Sequence, residues 1–139
     1  MGRKLLRRSR RVRRSAFMNS EEFVRALKFV CSDKSGSQAI ALYQNPPGRS
    51  PSQRLKRLST WFLQLTPTDQ AMLVEALDDV AEGVIFGVLC VLDGVRAIES
   101  GPDKGDLELY YVKGGSRVLL NDMNQSQLHD VFQGIRSFD

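Results

Sequence analysis

The stretch "VAEGVIFGVLCVLDG" occupies residues 80–94, and where its apolar sides go decides the fold. Just upstream, "LTPTDQAML" (65–73) has the marks of a helix start. Thr66 suits the N-cap, Pro67 sits at N1 where its missing N–H costs nothing, and Asp69 lies at the positive end of the helix dipole. The spacing predicts one helix running to about Leu92, stopped by Asp93 and Gly94. At about 100° per residue, Leu73, Leu77, Val80 and Val84 share one side, with Glu75, Asp78, Asp79 and Glu82 opposite. The first half is therefore amphipathic. Past Gly83 the polar side disappears, because Phe86, Leu89 and Cys90 take the directions the acids held. A half-helix apolar on every side is expected to be buried all round, and so needs a cover.

Candidates for that cover follow directly. "GVRAIES" (94–100) and "DLELYYVK" (106–113) read as strands, the second placing Leu107, Leu109 and Tyr111 on one face and Glu108, Tyr110 and Val112 on the other. Gly114 and Gly115 then suit a tight two-residue turn into a third strand, "SRVLLN" (116–121). A last helix is predicted from about Gln125 to Ile135, capped by Asn124 with Gln127 at N3, its core stripe being Leu128, Val131, Phe132 and Ile135.

Working back toward the N-terminus, "MNSEEF" (18–23) is a helix start, with Asn19 as N-cap, Glu22 closing a capping box and Met18 facing Phe23 as a hydrophobic staple. This helix should reach Cys31, with Phe23, Leu27 and Val30 as its core face. A short helix is expected from Gln38 to Gln44, presenting Ile40 and Tyr43, before the proline-rich loop "NPPGRSP" (45–51). The next helix is read from Ser50 as N-cap, Pro51 at N1 and Gln53 at N3, with Leu55, Leu58, Phe62 and Leu65 as its stripe. The order is several helices, a small antiparallel meander, then a helix. The expected fold class is thus α+β: N-terminal helices including one long buried central helix, a three-stranded antiparallel meander with a Gly-Gly hairpin, and a C-terminal helix.

Charge divides the chain in two. Residues 1–17 hold eight basic residues and no acid, so with a total of +4 the remainder carries −4. The basic pI therefore belongs to the leader. Residues 18–139 are read as a single domain, and 1–17 either as a disordered basic arm or as a non-native extension, since Met18 is also a natural point for translation to start. As an arm, Arg7, Arg8, Arg10, Arg11, Arg13 and Arg14 could bind phosphates of a nucleic acid. No aromatic residue interleaves with them before Phe17, so base readout is not expected.

Chemistry for catalysis is sparse. Cys31 and Cys90 stand far apart with no C-x-x-C pair, which argues against a disulfide scaffold or a zinc site and fits a reducing cytoplasm. The longest apolar run, 83–92, is about half of what a membrane span needs. The single histidine, His129, falls on the polar side of the last helix, where a solvent-facing or capping role suits it. No phosphate-binding loop, dinucleotide fingerprint or nucleophile elbow is present. A pocket gathering Asp93, Arg96 and His129 would be the feature to revive an enzyme reading. The expectation is a non-enzymatic protein with no cofactor and no metal.

The most organised polar feature is the stripe Glu75, Asp78, Asp79 and Glu82, four mutually repelling carboxylates on one helix face. It reads as a solvated face or as a surface steering a basic protein partner. Tyr110 is a further interface candidate, tyrosine being enriched there. Gly83 and Gly87, one turn apart, suit close packing of a helix or sheet of the same chain ahead of dimerisation. The basic cluster Arg49, Arg54, Lys56 and Arg57 beside Trp61 reads as plain surface.

The segments "FGVLCVLDGVRAIES" (86–100), "GDLELYYVKGGSRVLLND" (105–122) and "LHDVF" (128–132) resemble a family of small uncharacterised bacterial proteins in which a glycine-flanked apolar helix leads into such a hairpin. The likeness covers roughly residues 50–133 and brings no catalytic residue. Small α+β proteins of this sort are similar to the immunity proteins of bacterial toxin systems, which implies binding and blocking a toxin.

Overall fold

A computed structural model describes residues 17–136. Four helices come first: α1 (Ser20–Cys31), α2 (Ser35–Gln44), α3 (Gln53–Phe62) and α4 (Pro67–Leu92). A two-stranded antiparallel hairpin, β1 (Tyr110–Lys113) and β2 (Ser116–Leu119), precedes α5 (Leu128–Ile135). The arginines 7, 8, 10, 11, 13 and 14 lie outside the described residues.

The capping chemistry holds at α1 and α4. Asn19 accepts the Glu22 N–H at 2.8 Å while Glu22 accepts the Asn19 N–H at 3.1 Å, closing the box. Thr66 accepts from the Asp69 N–H at 3.2 Å, and Pro67 opens α4. Elsewhere the starts shift. Ser52, not Ser50, caps α3 through the Leu55 N–H, leaving Pro51 outside the helix. Helix α5 begins at Leu128 rather than Gln125, because Asn124 and Gln125 instead fold back on Asp122 in a turn. Helix α2 starts earlier than its apolar pattern, at Ser35, since Gly36 is pressed onto α4. There Asp78 accepts the Gly36 N–H at 2.7 Å, and a Cβ on Gly36 would stand 2.6 Å from the Val74 carbonyl oxygen.

Two apolar clusters share α4 as their spine. Around its second half, α1 and α5 supply Val24, Leu128 and Phe132 against Ile85 and Leu89, all buried, with Phe23, Leu27 and Phe86 packed alongside. At its first half α2 packs directly and carries α3 behind it, with Ile40 and Phe62 buried and the Tyr43 and Phe62 rings 6.0 Å apart. On α1 the core face runs through Val24 rather than Val30, which is 65% exposed.

The meander has two strands, not three. Tyr110 pairs with Leu119 and Lys113 with Ser116, closed by Gly114 and Gly115, both at positive φ as such a turn requires. Residues 94–100 form no strand. Gly94 turns left-handed at φ 74°, and the Val95 and Arg96 N–H groups both return to the Cys90 carbonyl, ending α4. Residues 106–109 also stay outside the ladder: the Leu109 carbonyl still accepts the Leu120 N–H at 2.8 Å, but the buried side chain of Asn121 takes the Leu109 N–H and the Leu107 carbonyl. Its Oδ1 accepts the Leu109 N–H at 2.8 Å, and its Nδ2 donates to the carbonyls of Leu107 at 2.7 Å and Leu92 at 2.6 Å. One amide thus stitches the approach to the hairpin onto the end of α4. On the far side, Ser20 Oγ donates to the Leu120 carbonyl at 2.6 Å, tying the hairpin to α1.

The central helix is long but not wrapped. With α1, α2 and α5 gathered on one side and no strand at 94–100, the other side of its second half is left open by the described residues.

Candidate interaction surface

That open side is built from small and branched residues. Val80, Val84 and Val88 are 63%, 62% and 51% exposed, and Met72 continues the run toward the N-terminal end. Ile85, Leu89 and Cys90, pointing the other way, are buried. The expectation of burial all round is thereby corrected: a helix with no polar side need only bury the sides its neighbours reach. The valines border a shallow groove of about 560 Å³ with Gly83 and Gly87 in its floor and Arg96 at one end.

The two glycines do different things. None of the described residues stands within 4 Å of where a Cβ on Gly83 would be, so this glycine meets no described helix or strand. At Gly87 the Cβ position lies 2.7 Å from Arg96 Nη1, so the missing side chain makes room for a guanidinium. Among the described residues the Arg96 side chain has no ion pair and no hydrogen bond.

The four acids of α4 are divided between inside and outside. Asp78 is half-buried on the Gly36 N–H. Glu82 joins three elements, its carboxylate meeting Lys28 Nζ of α1 at 3.1 Å and Arg136 Nε, just past α5, at 3.0 Å. Lys28 also contacts Asp33, and the hydrogen bond to that carboxylate, assisted by Glu82 against the cost of burial, raises the ammonium pKa above its ordinary 10.5. Glu75 and Asp79 remain exposed and among the described residues have no ion pair. The stripe thus leaves two carboxylates exposed and commits two to the fold.

Tyr110 is half-buried on the hairpin, its hydroxyl 3.1 Å from a Glu108 carboxylate oxygen and its ring covered by the Arg117 guanidinium at 3.7 Å. This cation–π pair keeps the ring in place. Beside it Val112 is exposed.

Asp93 and His129 do meet. Asp93 Oδ2 accepts the His129 backbone N–H at 2.8 Å and lies 2.7 Å from Nδ1, so one buried carboxylate caps α5 and fixes the ring, which also stands edge-on to Phe86. The ring nitrogen facing away, Nε2, is 3.4 Å from Asp130. A second cavity, of about 510 Å³ beneath the 94–109 loop, is lined by Asp93 and Arg96 but not by His129. The three residues are therefore not gathered around one space. The Asp93–His129 contact accounts for itself as a helix cap. Among the described residues, no group of three or more His, Cys, Asp or Glu side chains is placed to hold a metal ion. No described helix is long and apolar enough to cross a membrane.

Compared with known proteins, the chain matches no family model, no curated protein and no solved structure. Its surface therefore has to speak for its function. The residues that the sequence pattern assigned to the interior, Val80, Val84 and Val88, are the ones that surface presents. Their fourfold spacing was visible, but periodicity alone does not tell an interface stripe from a core stripe.

Proposed function

We propose that this chain is a non-enzymatic protein-interaction module, of the immunity type its sequence resembles, which binds a toxin through the open side of α4. The observation that carries this is the row of exposed valines around a glycine-floored groove. Single exposed apolar residues are ordinary on protein surfaces, but a contiguous run on one helix face is the mark of a docking site. A groove floored by glycine also lets a partner's helix or loop approach the backbone of α4 closely. Glu75 and Asp79, flanking this face and without an ion pair among the described residues, favour the approach of a basic protein.

The test is calorimetric titration of the purified chain with the products of neighbouring toxin-like genes. One of them is expected to bind, and Val84→Glu, a change at an exposed position that leaves the fold intact by circular dichroism, is expected to abolish that binding. Binding by no neighbour, or binding that Val84→Glu leaves unchanged, overturns the proposal.

A further inference from the structure

The open side of α4 also specifies an occupant. Ala76, Val80, Gly83 and Gly87 follow one another at the alternating four-and-three spacing of a helix-packing seam, with Val84 along one edge and Asp79 along the other. From Met72 to Val88 this face is about 24 Å long at 1.5 Å per residue. Two opposite charges lie along it. Asp79 is exposed on one edge, and the Arg96 guanidinium rests over Gly87 in the seam itself. Among the described residues neither side chain has an ion-pair partner. Along the helix axis the levels of residues 79 and 87 are about 12 Å apart, too far for the two to pair within one chain.

Resting on the reading of this face as a protein-docking surface, we propose that the free protein covers it with a second copy of itself, α4 lying antiparallel to α4 about a twofold axis at Gly83. Such an axis sets residue 79 of one helix level with residue 87 of the other, where the guanidinium lies. Asp79 of each copy then comes level with the guanidinium over Gly87 of the other, within reach of that long side chain, and the two ion pairs flank the centre symmetrically. Gly83 then faces Gly83, with the open space over each filled by the other backbone, and the exposed valines are withdrawn from water. A toxin that docks on this face displaces the second copy.

Sedimentation equilibrium of the full chain, up to roughly 100 µM where even a dimer of micromolar affinity is populated, provides the test. The native chain is expected to be a dimer and the Val84→Glu variant a monomer. Asp79→Arg and Arg96→Asp should each weaken the dimer by about tenfold, and the double variant should return it to within about threefold of native, because the charges then complement each other in reverse. A native chain that stays monomeric overturns the proposal, as does a dimer indifferent to either charge reversal or one that the double variant fails to restore. A monomeric native chain whose toxin binding is still lost in Val84→Glu removes the second copy while leaving the docking surface standing. A charge-dependent dimer that binds no neighbouring gene product does the reverse.

Discussion

Asn121 is where a single side chain decides the path of a long loop, and replacing it separates hydrogen bonding from packing. Its amide makes three bonds of 2.6–2.8 Å, to Leu92 at the end of α4 and to Leu107 and Leu109 before the hairpin. Each such bond contributes about 1 kcal/mol net, and more where its loss strands a buried group. Leu107 is exposed and water can replace its lost donor, whereas the Leu109 N–H and Leu92 carbonyl lie in half-buried surroundings. Asn121→Ala is therefore expected to cost about 3 kcal/mol, a fall in Tm of about 10 °C for a chain of this size. Asn121→Asp is the sharper probe. It has the shape of the native residue and keeps the acceptor for Leu109, but sets a carboxylate against two carbonyl oxygens that need donors. At pH 7 it should be at least as destabilising as the alanine. Facing two acceptors raises the folded-state pKa of the new carboxyl, so the folded protein holds a proton the unfolded chain has released. Stability relative to the native chain must then rise as pH falls toward about 4, where the unfolded carboxyl also protonates. Urea unfolding of the three proteins at a series of pH values reads this directly. An aspartate variant within about 0.5 kcal/mol of native at pH 7, or one milder than the alanine and flat with pH, would refute the assignment of Asn121 as donor to Leu92 and Leu107.

Gly36→Ala should cost about 2 kcal/mol in the same assay, because its methyl would meet the Val74 carbonyl, a backbone atom that cannot swing aside. Asp93→Ala should cost about 1–2 kcal/mol through the lost cap on α5, seen as faster amide exchange at His129. Glu82→Gln should cost about 1–2 kcal/mol at neutral pH through its weakened hold on Lys28 and Arg136. Since Lys28 is raised by its carboxylate partners, its share of that stability is complete below pH 10.5 and disappears as pH climbs through the higher folded value. The difference between Glu82→Gln and native in chemical denaturation should accordingly narrow above pH 10.5 without vanishing, as Arg136 stays charged.

The helices were legible because their signals are local. Asn19 with Glu22, and Thr66 with Pro67 and Asp69, fix starts through contacts within one turn. So does the hairpin, where two glycines supply the positive φ that the turn demands. What was not legible depends on distant partners. Nothing in the period of "DLELYYVK" tells that Asn121, twelve residues beyond Leu109, will claim the Leu109 N–H and the Leu107 carbonyl. Nor does the α5 pattern announce that Asp93, thirty-six residues upstream of His129, supplies its cap in place of Asn124. Of the four acids on α4, Asp78 and Glu82 differ from Glu75 and Asp79 only in what α1, α2 and α5 bring to them.

The same dependence explains why the second half of α4 reads as core on every side and is not. Periodicity reports how many sides of a helix are apolar, while burial depends on how many sides the rest of the chain can reach. Three helices reach the side carrying Ile85 and Leu89, and the segment from Gly94 to Leu109 turns away over a separate cavity instead of crossing the side carrying Val80, Val84 and Val88. Polar residues at 80, 84 and 88 would suit an open helix face of a protein that stays alone. Valine there, beside a glycine with none of the described residues above it and an arginine with no ion pair among them, is what the proposed docking surface rests on.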